Sequence, residues 1–136
     1  MDYLAILNIL FLSLISLFHL YWVFGGRIGL DVVIPEKDGK PMFIPGPVLT
    51  FLVALLVLVF AFVLYTLQFS ERKIEVFNYA GWMISIIFFL RAVGDFNAVG
   101  FFKKLKQTIF ARYDTRYFSP LCLFLALSSA IITYQA

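Results

Sequence analysis

Charged residues are scarce in this chain. Only 14% of its 136 residues are Asp, Glu, Lys or Arg, whereas 62% are hydrophobic. A soluble domain carries roughly 25% charged and about 45–50% apolar residues, and a chain of this length buries only part of its apolar surface on folding. The shortage of charge therefore excludes an ordinary water-soluble domain, and lipid is the expected solvent for most of the molecule.

Cysteine and histidine are almost absent as well. Cys122 is the single cysteine, so an internal disulfide and a CxxC motif are excluded, and in its apolar run it is expected to act as a small hydrophobic residue. His19 is the single histidine; a metal site would need Asp95 or Asp114 from other helices. No Walker A, GxGxxG, HExxH or GxSxG motif occurs. We therefore predict no metal site and no cofactor.

Long apolar runs are what the chain has in abundance. A membrane-spanning helix needs about 20 mostly apolar residues, and four segments approach this length, at about 3–24, 47–69, 76–95 and 120–134. The first has no basic n-region and no A-x-A site, which favours a retained transmembrane helix over a signal peptide. The predicted fold is an all-α integral membrane protein, a four-transmembrane-helix bundle that forms a single domain over residues 1–136.

Glycine and proline mark the predicted ends of these helices. Gly25 and Gly26 are expected to end the first helix, since glycine readily takes the left-handed conformation of a C-cap. Pro47 suits the first turn of the second helix. Ser119 and Pro120 are interpreted as the N-cap and first residue of the fourth helix. This last helix would then cover only about 22 Å at 1.5 Å per residue.

The first and third connections carry structural signals of their own. In the first, Asp38-Gly39 is a turn signal that predicts a short hairpin on the membrane surface. In the third, apolar residues fall on one helical face, which predicts an interfacial amphipathic helix before the last span. The residues of this apolar face are Phe101, Phe102, Leu105, Ile109 and Phe110.

Basic residues are concentrated on one side of the predicted bundle. The first and third connections and the end of the third span hold nine of the eleven, whereas the second connection holds Arg72 and Lys73. The positive-inside rule places the nine in the cytoplasm and both termini outside. The net charge of +3 is therefore interpreted as a sign of how the chain is oriented in the cytoplasmic membrane. No nucleic-acid partner is predicted. Lys103, Lys104 and Lys106 are expected to contact anionic lipid headgroups.

Unusual polar residues are predicted to gather in a rim at the cytoplasmic level. Arg91 and Asp95 are four residues apart and can pair on one helical face. An ionisable residue inside a membrane suggests function, but an arginine near the interface can also snorkel. A structural clamp between the third helix and the segment ARYDTR is the favoured explanation of the pair, and a functional site is the alternative. His19 is expected to bond to this cluster. The predicted rim consists of His19, Tyr21, Trp22, Arg91, Asp95, Arg112, Asp114 and Arg116.

Three functions remain open for such a rim. The favoured interpretation is a binding or accessory protein that engages a lipid, an amphipathic ligand or a protein partner. An intramembrane enzyme acting on a lipid or isoprenoid substrate would use His19 or Asp95 as acid or base, but the sequence offers no obvious nucleophile. A small transporter subunit, active as a homo-oligomer, is disfavoured because the second helix has no polar residue near the bilayer centre to line a water path.

The segments that form the rim resemble a known protein family. The patterns H-x-Y-W…G-G, R-x-x-G-D-F and F-A-R-x-D-T-R-x-F-S-P-L occur in this order and are similar to those of small bacterial membrane proteins grouped as a domain of unknown function. The resemblance covers nearly the whole chain. It implies four hydrophobic helices in a bacterial inner membrane, and it implies no activity and no catalytic residues.

Overall fold

Four long helices dominate the chain, as the apolar runs predict. The structure, a computed structural model, describes residues 2–38, 40–44, 46–94 and 99–136, apart from the side chains of Asp31 and Glu36. The four long helices are each long and apolar enough to cross a membrane. In chain order the elements are α1 (Asp2–Val23), α2 (Leu30–Val33), β1 (Glu36–Lys37), β2 (Lys40–Pro41), α3 (Pro47–Phe69), α4 (Glu75–Val93), α5 (Ile109–Tyr113), a π-helical turn (Asp114–Phe118) and α6 (Ser119–Gln135).

The helices form two antiparallel pairs that pack into one bundle. α1 packs mainly against α3, and α4 mainly against α6, while contacts of α3 with α4 and of α1 with α6 close the bundle. The Gln68 side chain donates to the Asp2 carboxylate over 2.8 Å, which joins the start of α1 to the end of α3. Both termini therefore lie at one end of the bundle, here called the terminal end; the opposite end is called the loop end.

Small and hydroxyl-bearing residues mediate the contacts between helices. Ser16 Oγ on α1 donates to the Ala54 carbonyl on α3 over 2.9 Å, and Ser85 Oγ on α4 donates to the Ala126 carbonyl on α6 over 2.7 Å. Such interfaces are typical of membrane bundles, where close packing and interhelical hydrogen bonds replace the hydrophobic effect. Many other large apolar side chains along the long helices are exposed, as expected of a surface covered by lipid.

The first connection contains the predicted hairpin. β1 and β2 pair antiparallel, with Lys37 opposite Lys40, and Asp38 has the positive φ of 56° that a tight hairpin turn requires. The short helix α2 precedes the hairpin and packs against α5. The prediction of a hairpin is confirmed. The contact of α2 with α5 fastens the first connection to the start of the fourth long helix, which is the continuous run of α5, the π-helical turn and α6.

The predicted interfacial amphipathic helix is wrong. Residues 99–108 contain no helix, because the chain turns back at Gly100, whose φ is 89°. The Phe101 amide then donates to the Ala92 carbonyl over 2.8 Å and so ties this segment to the last turn of α4. The apolar periodicity of the sequence belongs to an irregular segment folded onto the bundle, and Lys103, on the expected polar face, is buried.

The fourth long helix begins earlier than predicted. Thr108 is its N-cap, since its Oγ1 accepts the Ala111 amide over 2.9 Å. Ser119 has helical φ and ψ of −67° and −44°, so it is not a cap, and Pro120 lies inside the helix. The π-helical turn accommodates this proline, which lacks an amide donor and would crowd the preceding turn of a regular α-helix. The whole span has 27 residues, about 40 Å, so the expected shortness is also wrong.

Candidate functional site

Asp114 is the centre of a polar cluster at the loop end. The π-helical turn holds its side chain on the inward face, where it is 0% exposed. Oδ1 accepts from Arg91 Nη2 over 2.9 Å, while Oδ2 accepts from the Gly100 amide over 2.7 Å and lies 3.2 Å from Lys103 Nζ. These four residues, called the Asp114 clamp, connect α4, the third connection and the fourth long helix.

Lys103 is an internal cation of the clamp. Its side chain is 1% exposed, and Nζ donates to the Gly100 carbonyl over 2.9 Å and to Thr115 Oγ1. The interpretation of Lys103 as a headgroup contact is therefore wrong, because three protein acceptors surround its ammonium group. Lys104 and Lys106, in contrast, are exposed. No pattern in the sequence indicated that Thr115 would accept a hydrogen bond from Lys103.

Two glycines let the backbone close around the clamp. Gly94 and Gly100 have φ of 86° and 89°, which is the left-handed side of φ/ψ space that favours glycine. A Cβ at Gly94 would collide with the Val99 carbonyl, and one at Gly100 with the Val93 carbonyl. This close backbone approach places the Gly100 amide within reach of Asp114.

Arg91 forms the clamp's contact with α4. Its side chain is 33% exposed, and its partner is 23 residues away in the chain. Asp95, the predicted partner on the same helix, lies outside the described residues, so that pairing stays a prediction. Among the described residues no acceptor faces the buried Nη1 of Arg91. The long-range pair with Asp114 is thus the ion pair that ties α4 to the fourth long helix.

The three aromatic rim residues of α1 form a separate group. His19 Nδ1 lies 2.7 Å from the Ile15 carbonyl, and the imidazole meets Trp22 edge-on. Trp22 Nε1 donates to the Ile28 carbonyl over 3.0 Å, and Tyr21 Oη accepts the Ile28 amide over 3.4 Å. Across the described residues no hydrogen bond joins this group to the clamp, and a bond from His19 to Asp95 lies outside the described residues and stays a prediction. The group instead fastens the chain that follows α1.

Arg112 and Arg116 project away from the clamp. Both are exposed, as are the neighbouring Tyr113 and Tyr117, whose rings lie 5.8 Å apart between centroids. The Arg116 guanidinium sits 5.4 Å from the centroid of the Tyr117 ring. These four residues, called the Arg/Tyr face, form an exposed basic and aromatic surface around this part of the helix.

The geometry of the clamp favours a structural role. Each carboxylate oxygen of Asp114 already accepts a donor from the protein, so the group is not free to serve as a base. Two recesses of about 10 and 360 Å³ lie near the terminal end, and no clamp residue lines either of them. The described part of the chain contains no group of three His, Cys, Asp or Glu residues arranged to hold a metal ion.

A family model described as a protein of unknown function (DUF3995) matches residues 12–129. The chain belongs to the DUF3995 family. This assignment confirms the resemblance seen in the sequence, and the matched range includes the Asp114 clamp, the Arg/Tyr face and the aromatic group of α1. No curated protein and no solved structure matches the chain.

Proposed function

We propose that this DUF3995 protein is a multi-pass membrane protein whose loop end binds the headgroups of anionic lipids, in a binding or accessory role. The observation that carries the proposal is the distribution of exposed charge. At the terminal end, two exposed bases are offset by three acids: Arg72 and Lys73 against Asp2, Glu71 and Glu75. At the loop end, seven bases are exposed, and Asp38 is the one exposed acid among the side chains that the structure describes there; the bases are Arg27, Lys37, Lys40, Lys104, Lys106, Arg112 and Arg116.

The physical chemistry of a membrane surface supports this proposal. Each basic residue near an anionic surface contributes about 1 kcal/mol of attraction, which decays over a Debye length of about 8 Å at physiological salt. Exposed apolar side chains at the same end, including Phe43 and the 85%-exposed Ile44, suit the boundary between headgroups and acyl chains. The loop end therefore combines the two features of an interfacial lipid-binding surface.

The same charge distribution supports an orientation. With the loop end in the cytoplasm, the bases lie on the side of the membrane where the positive-inside rule places them. Both termini then lie outside. The proposed location is the cytoplasmic membrane of a bacterium. In this orientation the exposed bases meet the anionic lipids of the inner leaflet.

Labelling of single cysteines tests the orientation. In a Cys122→Ser background, a membrane-impermeant maleimide is expected to modify Glu71→Cys in intact spheroplasts, and Gln107→Cys only after lysis. Both positions are exposed and lie at opposite ends of the bundle, so each serves as the control for the other. The reverse labelling pattern would show that the loop end faces outward.

Lipid enrichment tests the proposed function. When the protein is reconstituted in bilayers of equal phosphatidylglycerol and phosphatidylcholine, native mass spectrometry is expected to find phosphatidylglycerol enriched severalfold among the retained lipids. Half-molar salt should weaken this preference, because it shortens the Debye length. The control variant Arg72→Gln/Lys73→Gln should keep the preference, since it alters the terminal end. Equal retention of both lipids by the unaltered protein would overturn the proposal.

A further inference from the structure

We infer that the Arg/Tyr face is a discrete site for the phosphate of one anionic phospholipid. This inference rests on the proposed function and deepens it. It assigns the phosphate to Arg112 and Arg116 and places Tyr113 and Tyr117 beside the headgroup. The remaining exposed bases of the loop end then supply only a diffuse attraction.

Helix geometry directs both arginines to the same outward side. Asp114 is fully buried, and residues two positions before and after it project on the opposite side of a helix. Arg112 and Arg116 occupy these positions, four residues and thus about one turn of the helix apart. Their guanidinium groups can therefore converge on a single phosphate.

Arg112 and Arg116 form no ion pair with any carboxylate that the structure describes. The ion pairs among the described side chains join Arg91 and Lys103 to Asp114, and no described carboxylate lies within 4 Å of Arg112 or Arg116. Arginine presents N–H donors in a planar fork that matches the oxygens of a phosphate. A phosphate bound here would supply acceptors to both guanidinium groups.

The tyrosines orient the site and match the chemistry of the membrane interface. Tyr113 and Tyr117 are 42% and 51% exposed, and the Arg116 guanidinium rests over the Tyr117 ring at 5.4 Å. This cation–π contact restrains the arginine beside the ring. Tyrosines are enriched at the level of lipid headgroups because their rings are amphipathic. The Arg/Tyr face thus combines positive charge and an aromatic surface at the same depth in the membrane interface.

The Asp114 clamp sets the depth and rigidity of this face. Asp114 lies between the two arginines in the chain and bonds to Arg91, two residues before the end of α4. The face is therefore held level with the end of a spanning helix, which is the depth of lipid phosphates. Because its backbone is restrained by three donors to Asp114, a bound lipid does not have to order it.

Paired substitutions of equal charge test the site. The full-length protein in detergent is titrated with phosphatidylglycerol, and bound lipid is counted by native mass spectrometry. Arg112→Gln/Arg116→Gln is expected to weaken the tightest binding by about tenfold or more. Lys104→Gln/Lys106→Gln removes the same two charges and is expected to weaken it by less than about threefold. Arg112→Lys/Arg116→Lys keeps both charges but removes the planar sets of guanidinium N–H donors, so it should also weaken binding.

Each result of this titration has a distinct meaning. Equal weakening by the arginine and lysine pairs would overturn the discrete site while leaving the proposed function intact. No preference of the unaltered protein for phosphatidylglycerol would overturn both. Competition by inorganic phosphate at matched concentration would show that the ligand is free phosphate and overturn the lipid assignment. Because all four substituted side chains are exposed, melting temperatures without lipid should match the unaltered protein, and single substitutions replace any pair that fails to fold.

Discussion

Replacement of Asp114 by asparagine is expected to lower the free energy of unfolding by about 3–5 kcal/mol. Asparagine keeps the shape of the side chain but removes the negative charge that faces Arg91 and Lys103. Lys103, with a side chain that is 1% exposed, would be left as an uncompensated charge away from water. Unfolding of the purified protein by SDS in mixed micelles measures the loss, together with the yield of folded protein.

A matched control and a double substitution make this test specific. Asp38→Asn removes an equivalent charge from an exposed turn and should change stability by less than about 0.5 kcal/mol. Lys103→Met combined with Asp114→Asn removes both members of the buried pair, so its cost should be smaller than the sum of the single costs. A cost below about 1 kcal/mol for Asp114→Asn would show that the clamp does not hold the loop end together.

Alanine at Gly94 is expected to be the other severe substitution. Gly94 has φ of 86° and ψ of −167°, a region of φ/ψ space that is essentially restricted to glycine and costs other residues about 1–3 kcal/mol. The added Cβ would also collide with the Val99 carbonyl, which is backbone and cannot move aside cheaply. A total loss of about 3 kcal/mol or more is expected, measured by the same SDS unfolding.

Gly46 provides the control for this backbone effect. Its φ of −74° and ψ of 164° are accessible to any residue, and a Cβ there has no neighbour within 4 Å. Gly46→Ala should therefore be neutral or slightly stabilising, by up to about 1 kcal/mol, because alanine restricts the unfolded chain. Similar losses at Gly94 and Gly46 would contradict the structural argument, since they would reflect a general sensitivity to alanine.

Composition and local signals were sufficient to predict the elements that depend on them. The apolar runs predict α1, α3 and α4 to within two residues at the bounds that are described, because spanning a bilayer sets a minimum length and excludes charge. Asp38-Gly39 predicts the hairpin, because few sequences tolerate a positive φ at this turn. Both signals are local and need no knowledge of which helices touch.

Periodicity alone could not distinguish a helix from a folded segment over residues 101–110. The apolar positions have helical spacing, but Lys103 finds its acceptors in Thr115, Gly100 and Asp114, two of which lie in the π-helical turn. A lysine beside two other lysines resembles a solvated face unless its distant partners are known. The burial of this one ammonium group thus depends on tertiary structure that the local pattern does not contain.

The start of the fourth long helix shows a conflict between two local signals. Ser119-Pro120 has the composition of a helix start, but Thr108 provides the cap that the structure uses. The π-helical turn reconciles them, since it allows Pro120 inside a continuous helix. The pairing of Arg91 with Asp114 was equally hidden, because it spans 23 residues, whereas sequence spacing draws attention to a partner four residues away.

The pairing of helices has a consequence for biosynthesis. α1 packs mainly on α3 and α4 mainly on α6, so each pair is made of neighbours in the chain. The first hairpin of helices can therefore close while the ribosome is still making the second. Arg91 is made 23 residues before Asp114, so the ion pair between them forms only after the fourth long helix has begun to emerge. The helix that is made last thus completes both the second hairpin and the clamp.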